Sequence, residues 1–337
     1  MHGKIVKLIL IGLKISFALS LIYYLFNEGA IDFTPVLDLL HRRTKVLALT
    51  ALLLLMGLVL SGLRWWFLMR AAGFRLRLGL VLRLQLIGAF FSTWLPGAAG
   101  GDAARGAYIM RLLAARRTTA LLTVAMDRLF SLFGLIFVAA VLVLLNFKEA
   151  GAQPILEFYV LLILVTMAAG ALGVVLVYIA AVRLRVHTLP QWIEKLRPYA
   201  HQLRGAVILV GSRWGTMLVC AFVSALASAS VVAGIVVLST GFRFAPELIV
   251  TALASALGNI SSAIPLTPGG IGIGEMTFAK VCEEHGAATG PFATIYLSFR
   301  IIMAVVSFSG LFAWLSFSSG RHAVTDRAPA GRVLTIG

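Results

Sequence analysis

Residues 96–102 read PGAAGGD, and this proline-glycine break in an otherwise apolar chain decides the fold. The pattern returns at residues 268–275, which read PGGIGIGE. In each half an arginine follows the proline by 32 residues, and Gly101 and Gly270 also belong to the breaks. A shift of 172 residues matches Pro96 with Pro268, Gly97 with Gly269, Gly100 with Gly272, and Arg128 with Arg300. The chain therefore consists of two related halves, each with a broken helix and an arginine in an apolar segment.

The composition is that of a membrane protein. Of the 337 residues, 60% are hydrophobic and 12% are charged, and the mean hydropathy is +0.98. Because a spanning helix needs roughly 20 mostly apolar residues, the sequence predicts an all-α polytopic membrane protein. The predicted spans number six and lie near residues 5–26, 46–69, 118–145, 158–181, 214–239 and 290–316.

Two shorter apolar stretches, residues 84–99 and 248–264, run directly into the breaks and are predicted to be re-entrant. Cytoplasmic loops of membrane proteins are rich in Lys and Arg. The basic residues between 105 and 117 stay on the cytoplasmic side only if residues 84–113 enter and leave the membrane there. The charge pattern therefore favours two re-entrant helical hairpins in the cytoplasmic (inner) membrane, with both chain termini in the cytoplasm.

The two halves are predicted to form an inverted repeat, because three crossings in each half leave the second half upside down. The first repeat covers residues 1–157 with its hairpin at 84–113. The second covers 158–317 with its hairpin at 248–285, and a cytoplasmic tail follows at 318–337. Inverted repeats recur in secondary transporters, where substrates bind near the bilayer midplane at broken helices.

Arg128 and Arg300 are the strongest candidates for binding a ligand. Each lies ten residues into its predicted span, which places it ~15 Å deep at ~1.5 Å per residue. Charged residues at this depth usually serve a function, and the planar guanidinium fork suits a phosphate group. The structural alternative pairs Arg128 with Asp102 and Arg300 with Glu275 as fixed struts.

Three carboxylates accompany the arginines. Asp102 and Glu275 stand where a helix restarts after each break, so each is either a helix cap or the partner of an arginine, a cationic headgroup or a proton. Asp127 adjoins Arg128, but neighbours in a helix point in different directions, so each needs another contact. Arg64 lies near the end of its span and is expected to snorkel to the inner interface.

The sequence offers little that indicates an enzyme. The histidines fall in loops or tails without metal-ligand spacing, so neither a catalytic residue, a metal site nor a cofactor is predicted. The net charge is +16, yet the basic residues lie in short loops beside apolar spans. Anionic phospholipid headgroups explain them better than nucleic acid does. The possibility of a homo-oligomer is left open.

The motifs together resemble the lysylphosphatidylglycerol synthase transmembrane-region family, also described as flippase-like membrane proteins. The resemblance covers roughly residues 5–317 and rests on four elements in a fixed order, with Ala98 in place of an expected glycine. These are the first break followed by Arg105, the pair Asp127-Arg128, the stretch 265–272 that reads PLTPGGIG, and Glu275. It implies translocation of a lipid without its synthesis, since the sequence shows no soluble synthetase domain.

Our first hypothesis is a lipid translocase that moves a phosphate-bearing lipid, such as an aminoacylated or otherwise modified phospholipid, between leaflets. The candidate substrate-binding residues are Asp102, Arg105, Asp127, Arg128, Glu275 and Arg300. The alternative is a membrane enzyme or accessory protein of a polyprenyl-phosphate-linked sugar or envelope-lipid pathway, in which a carboxylate acts as a base or acid. The lipid that copurifies with the protein would separate the two hypotheses.

Overall fold

The computed structural model describes residues 43–94, 100–145, 212–263, 267–285 and 290–319, together with a few single positions elsewhere. Regular structure in these residues is helical, and no strand occurs among them. The helices of this part of the chain are α1 (Thr44–Ala71), α2 (Leu78–Trp94), α3 (Gly100–Leu112), α4 (Arg117–Leu145), α5 (Trp214–Ser239), α6 (Leu248–Ser262), α7 (Ile273–Glu284) and α8 (Phe292–Ser319). The predicted all-α class is confirmed.

Four of the described helices are long and apolar enough to cross a membrane. They are α1, α4 with the 3-10 turn before it, α5 and α8, and they match four of the predicted spans. The chain is therefore a multi-pass membrane protein. The predicted spans at 5–26 and 158–181 lie outside the described residues, and α8 extends two residues into the predicted tail at 318–337.

The two predicted hairpins contain shorter apolar helices. Helix α2 has 17 residues and packs antiparallel against α3, and α6 has 15 residues and packs antiparallel against α7. Helix α2 begins at Leu78, before the apolar stretch predicted from residue 84. The difference arises because Arg83 points outward from the helix and does not interrupt it.

The first break positions α3 close to α2. Pro96 and Gly97 lie outside the described residues, whereas Gly100 and Gly101 form the first turn of α3. A Cβ atom added at Gly101 would collide with the carbonyl oxygen of Gly88 in α2. The two backbones can therefore approach this closely only because residue 101 is glycine.

The second break is a 3-10 turn, Pro268–Gly270, followed by Gly272 before α7. The φ angles of Gly269, Gly270 and Gly272 are 65°, 69° and 87°. Residues with a Cβ atom rarely adopt such angles. Glycine at these positions therefore lets the chain reverse direction between α6 and α7.

The helices of the two halves pack in corresponding ways. Helix α2 lies against α8, and its counterpart α6 lies against α4. Helices α1 and α5, which correspond to each other, form the central pair, and each also contacts both α4 and α8. Buried apolar side chains form two clusters, one with Trp65 and Ile109 and the other with Phe278 and Phe292.

Candidate functional site

Five charged side chains from α1, α3 and α4 form one connected group, which we call the first charged cluster. Its members are Arg64, Asp102, Arg105, Asp127 and Arg128. Each carboxylate in the cluster contacts two arginines, so the five side chains form an uninterrupted series of ion pairs.

Asp127 lies in the buried part of this series of ion pairs. Arg64 Nε donates to Asp127 Oδ1 over 2.8 Å, and Arg105 Nη1 donates to Asp127 Oδ2 over 2.9 Å. All three side chains are buried. Both oxygens of Asp127 are therefore held by arginines, and each of these contacts is a charge-assisted hydrogen bond of the stronger kind.

Asp102 and Arg128 lie at the exposed end. Asp102 accepts hydrogen bonds from Arg105 Nη2 through one oxygen and from Arg128 Nε through the other. The side chain of Asp102 is 20% exposed, and that of Arg128 is 48% exposed. The exposed fraction of the side chains thus rises along the series of ion pairs from Asp127 to Arg128, which is the most exposed member of the cluster.

Neutral groups complete the contacts of the two buried arginines. Gln85 Oε1 accepts a hydrogen bond from Arg105 Nη1, and Ser224 Oγ accepts one from Arg64 Nη1 over 2.7 Å. The Arg105 guanidinium also lies 5.0 Å from the centre of the Trp65 ring, a distance at which a cation is attracted to an aromatic face. These contacts satisfy donors that would otherwise be costly to bury.

Glycine positions Arg105 across the hairpin. A Cβ atom at Gly88 would lie 2.6 Å from Arg105 Cγ. A larger residue in α2 at this position would therefore push Arg105 away from Asp127. The first break and Gly88 together set the geometry of the first charged cluster.

Arg300 and Glu275 form the second charged cluster. The atoms Arg300 Nε and Glu275 Oε1 lie 2.6 Å apart, an ion pair that lacks the angle of a hydrogen bond. Arg300 Nη1 donates to the Gly269 carbonyl over 2.7 Å. Arg300 Nη2 donates to the Gly270 carbonyl over 2.7 Å and to Ser262 Oγ over 2.9 Å. This arginine therefore ties α8 to the turn between α6 and α7.

Glu275 also caps α7. Its Oε2 accepts a hydrogen bond from the Gly272 N–H over 2.8 Å, and its side chain is buried. An acidic group in the first turn also interacts favourably with the helix dipole. Glu275 is thus both a helix cap and an arginine partner, whereas Asp102 has its two oxygens on arginine side chains.

An aromatic residue supports the second cluster. The Tyr296 ring lies 5.4 Å from the Arg300 guanidinium carbon, and its hydroxyl donates to Asn259 Oδ1 over 3.1 Å. The hydroxyls of Tyr296 and Ser262 are 3.2 Å apart. These contacts link α6 to α8 and hold Arg300 in one position.

The structure contains both ion pairs of the structural alternative. Arg128 contacts Asp102, and Arg300 contacts Glu275. The pairs differ, because the first connects onward to Arg105 whereas Arg300 is bonded to backbone carbonyls. A role of these residues in phosphate binding stays a prediction.

The expectation for Arg64 is wrong. Arg64 does not snorkel to the interface, because it is buried and bonded to Asp127 in α4. Sequence reasoning also missed Gln85 and Ser224, which are neutral and carry no signal of their own. The burial of Arg64 could have been inferred from Asp127, since a carboxylate in an apolar span needs a cation from another helix.

A family model confirms the resemblance seen in the motifs. The model, described as the lysylphosphatidylglycerol synthase TM region, matches residues 9–310 of the chain. The chain belongs to this family. The matched residues include both hairpins and both charged clusters. Members of the lysylphosphatidylglycerol synthase TM region family are broadly lipid-related membrane proteins.

No curated protein and no solved structure matches the chain. Within the described ranges, no group of three or more His, Cys, Asp or Glu side chains is placed to hold a metal ion.

Proposed function

We propose that this chain is a lipid translocase that moves a phosphate-bearing lipid between the two leaflets. Arg128 carries the proposal. Its side chain is 48% exposed although it belongs to a membrane-spanning helix. Asp102 holds its Nε, and among the described residues no side chain or carbonyl accepts a hydrogen bond from its two Nη groups.

This geometry suits a phosphate. Two Nη groups of one guanidinium can donate in parallel to two phosphate oxygens. Because Asp102 fixes Nε, the fork is held in place before the ligand arrives, and less conformational entropy is lost on binding. Arg128 would hold the lipid phosphate during movement, with the aminoacyl or other modification pointing away from the site.

The helix packing supports an inverted-repeat transporter. We propose that the halves 1–157 and 158–317 have opposite orientations in the cytoplasmic membrane, with both termini in the cytoplasm. The hairpins α2–α3 and α6–α7 would then enter from opposite sides. Their corresponding contacts with α8 and α4 support this arrangement, and broken helices near the midplane are where such transporters bind substrates.

The contacts of the carboxylates support translocation over an enzymatic role. Asp127 is bonded to two arginines, Asp102 to two, and Glu275 to one arginine and one backbone N–H. All three carboxylates are therefore engaged by these partners in the structure. We therefore assign these three residues to the support of the arginines.

The proposal is tested in vesicles that contain the purified protein and a fluorescent phosphatidylglycerol, whose inner-leaflet fraction is measured by dithionite quenching. Arg128→Gln should slow movement by about 10- to 100-fold, because hydrogen bonds to charged groups contribute ~1.5–3 kcal/mol. Arg128→Lys should fall between this variant and the wild type, since it keeps the charge but loses the fork. Arg117→Gln is the matched control, because Arg117 is an exposed arginine of the same helix. Equal rates in all three variants, or a wild-type rate equal to that of protein-free vesicles, would contradict the proposal.

The topology is tested separately by cysteine labelling. A cysteine introduced at Leu113, which follows α3, should react with a membrane-impermeant reagent only from the cytoplasmic side. The native Cys220 and Cys282 are buried and should contribute little background. Reaction from outside only would show that the first hairpin crosses the membrane completely, and the inverted repeat would then be wrong.

A further inference from the structure

We infer that of the two charged clusters the first is the headgroup site, that its surplus positive charge selects a monoanionic phosphodiester lipid, and that Asp102 sets this selectivity. The inference rests on the proposed function and specifies the substrate class of the same site. It departs from the expectation that Arg300 is a second phosphate ligand.

The charges of the first cluster do not cancel. Three arginines share two carboxylates, so the five groups carry a net charge of +1. An unpaired charge in an apolar setting is costly, and one negative charge on a ligand would remove this cost. A phosphodiester such as the phosphate of phosphatidylglycerol has that charge.

The surplus charge is accessible at one position. Arg64 and Arg105 are buried and bonded to Asp127. Among the described residues, Arg128 contacts one carboxylate, that of Asp102, which Arg105 also contacts, and its side chain is half-exposed. The ligand phosphate is therefore expected at Arg128, with the buried arginines adding to the positive potential behind it.

The second charged cluster has no surplus charge. Arg300 and Glu275 balance each other. Both Nη groups of Arg300 already donate to the Gly269 and Gly270 carbonyls and to Ser262. A phosphate could bind to the Nη groups of Arg300 only if these hydrogen bonds broke. We therefore infer that Arg300 stabilises the turn Pro268–Gly270.

Asp102 limits the charge that the site accepts. It contacts Arg128 directly and is itself 20% exposed, so a phosphate on Arg128 would lie close to this carboxylate. A phosphomonoester carries about −1.5 to −2 at neutral pH and would be repelled by it. Asp102→Asn keeps the size of the side chain and raises the net charge of the cluster to +2, which matches a dianion.

The experiment measures binding and does not require transport. Purified full-length protein in detergent is incubated with equal amounts of phosphatidylglycerol, phosphatidate and diacylglycerol with identical acyl chains, and the retained lipids are quantified. The wild type should retain phosphatidylglycerol over phosphatidate. Asp102→Asn should lower that ratio by about tenfold, which corresponds to ~1.4 kcal/mol. Arg128→Gln should reduce both to the level of diacylglycerol.

Control variants separate charge selection from folding. Arg117→Gln should leave the ratio unchanged, and Arg300→Gln should lower thermal stability without changing the ratio. Asp102→Ser, which keeps a polar side chain at the start of α3, replaces Asp102→Asn if that variant does not fold. Inorganic phosphate at the same concentration should leave phosphatidylglycerol bound, whereas displacement would assign the site to a soluble phosphate and overturn the inference.

Two further results would overturn it. One is an unchanged lipid ratio in folded Asp102→Asn and Asp102→Ser. The other is loss of both phospholipids in folded Arg300→Gln to the same extent as in Arg128→Gln. If the binding pattern is as expected but vesicles show no lipid movement, the proposed function fails and the selective site stands. If lipids move without charge selection, only the present inference fails.

Discussion

Replacing Asp127 by Asn should destabilise the protein strongly. Asn has the size of Asp but no charge, so Arg64 loses the only carboxylate that it contacts among the described residues. Arg105 keeps Asp102. Breaking a buried ion pair by removing one partner costs about 3–5 kcal/mol, because it leaves a charge buried without compensation.

Removing Arg64 should cost less than removing the charge of Asp127. In Arg64→Met the carboxylate of Asp127 still accepts a hydrogen bond from Arg105, and Ser224 loses only one donor. The loss is then mainly that of hydrogen bonds to charged groups, or ~1.5–3 kcal/mol. In the double variant Arg64 is absent and cannot be left without a carboxylate, so we expect a coupling energy of ~1–3 kcal/mol that offsets part of the cost of Asp127→Asn.

The assay is thermal unfolding in detergent, followed by intrinsic fluorescence, with the lipid-binding ratio measured on the same samples. Glu247→Gln is the matched control, because Glu247 is an exposed carboxylate before α6 and should leave stability unchanged. If Asp127→Asn unfolded at the wild-type temperature but no longer bound phosphatidylglycerol, Asp127 would be a ligand of the headgroup. The assignment of this residue as the buried anchor of the first charged cluster would then be refuted.

Two glycine substitutions test the geometry of the helices, each against a matched glycine in the same assay. Gly270→Ala should destabilise the protein more than Gly269→Ala. Both residues have a positive φ, which costs roughly 1–2 kcal/mol for alanine, but only at Gly270 would the added Cβ atom also collide with the Ser262 backbone. Equal losses of stability in the two variants would show that the turn relaxes freely. Gly310→Ala should destabilise the protein by about 1–3 kcal/mol, because the added Cβ atom would overlap a carbonyl of α2. A Cβ atom at Gly215 would face open space, so Gly215→Ala should be neutral or stabilising. Unchanged stability of the Gly310→Ala variant would mean that α2 and α8 do not pack this closely.

Much of the helical frame could be predicted because apolar length and proline-glycine breaks act locally. The four described spans begin and end within a few residues of the predicted ones. The one larger difference is the start of α2, which begins at Leu78 and includes Arg83, whereas the apolar stretch was predicted from residue 84. A single outward-facing charge does not end a helix whose backbone bonds and apolar face are intact.

The buried end of the first charged cluster could be predicted only in part. The presence of Asp127 in an apolar span required a cation, but the rule that arginines near helix ends snorkel assigned Arg64 to the interface. Tertiary pairing between residues 63 positions apart prevailed over this rule. Arg64 is therefore buried because Asp127 needs a cation, and a local sequence pattern around Arg64 does not contain this information.

The unequal charges of the two halves follow from substitutions that the repeat itself exposes. The 172-residue shift places Arg105 on Thr277 and Asp127 on Phe299. The second half thus lacks both groups that extend the first cluster toward α1, and its remaining arginine and carboxylate neutralise each other. A common frame consequently holds a closed, neutral brace at one hairpin and an open cluster with net charge +1 at the other. In the proposed translocation, two equivalent arginines would allow a phosphate to pass from one to the other, whereas this asymmetry favours Arg128 over Arg300 for holding and releasing it. The proposal then predicts that access to the site at Arg128 alternates between the leaflets.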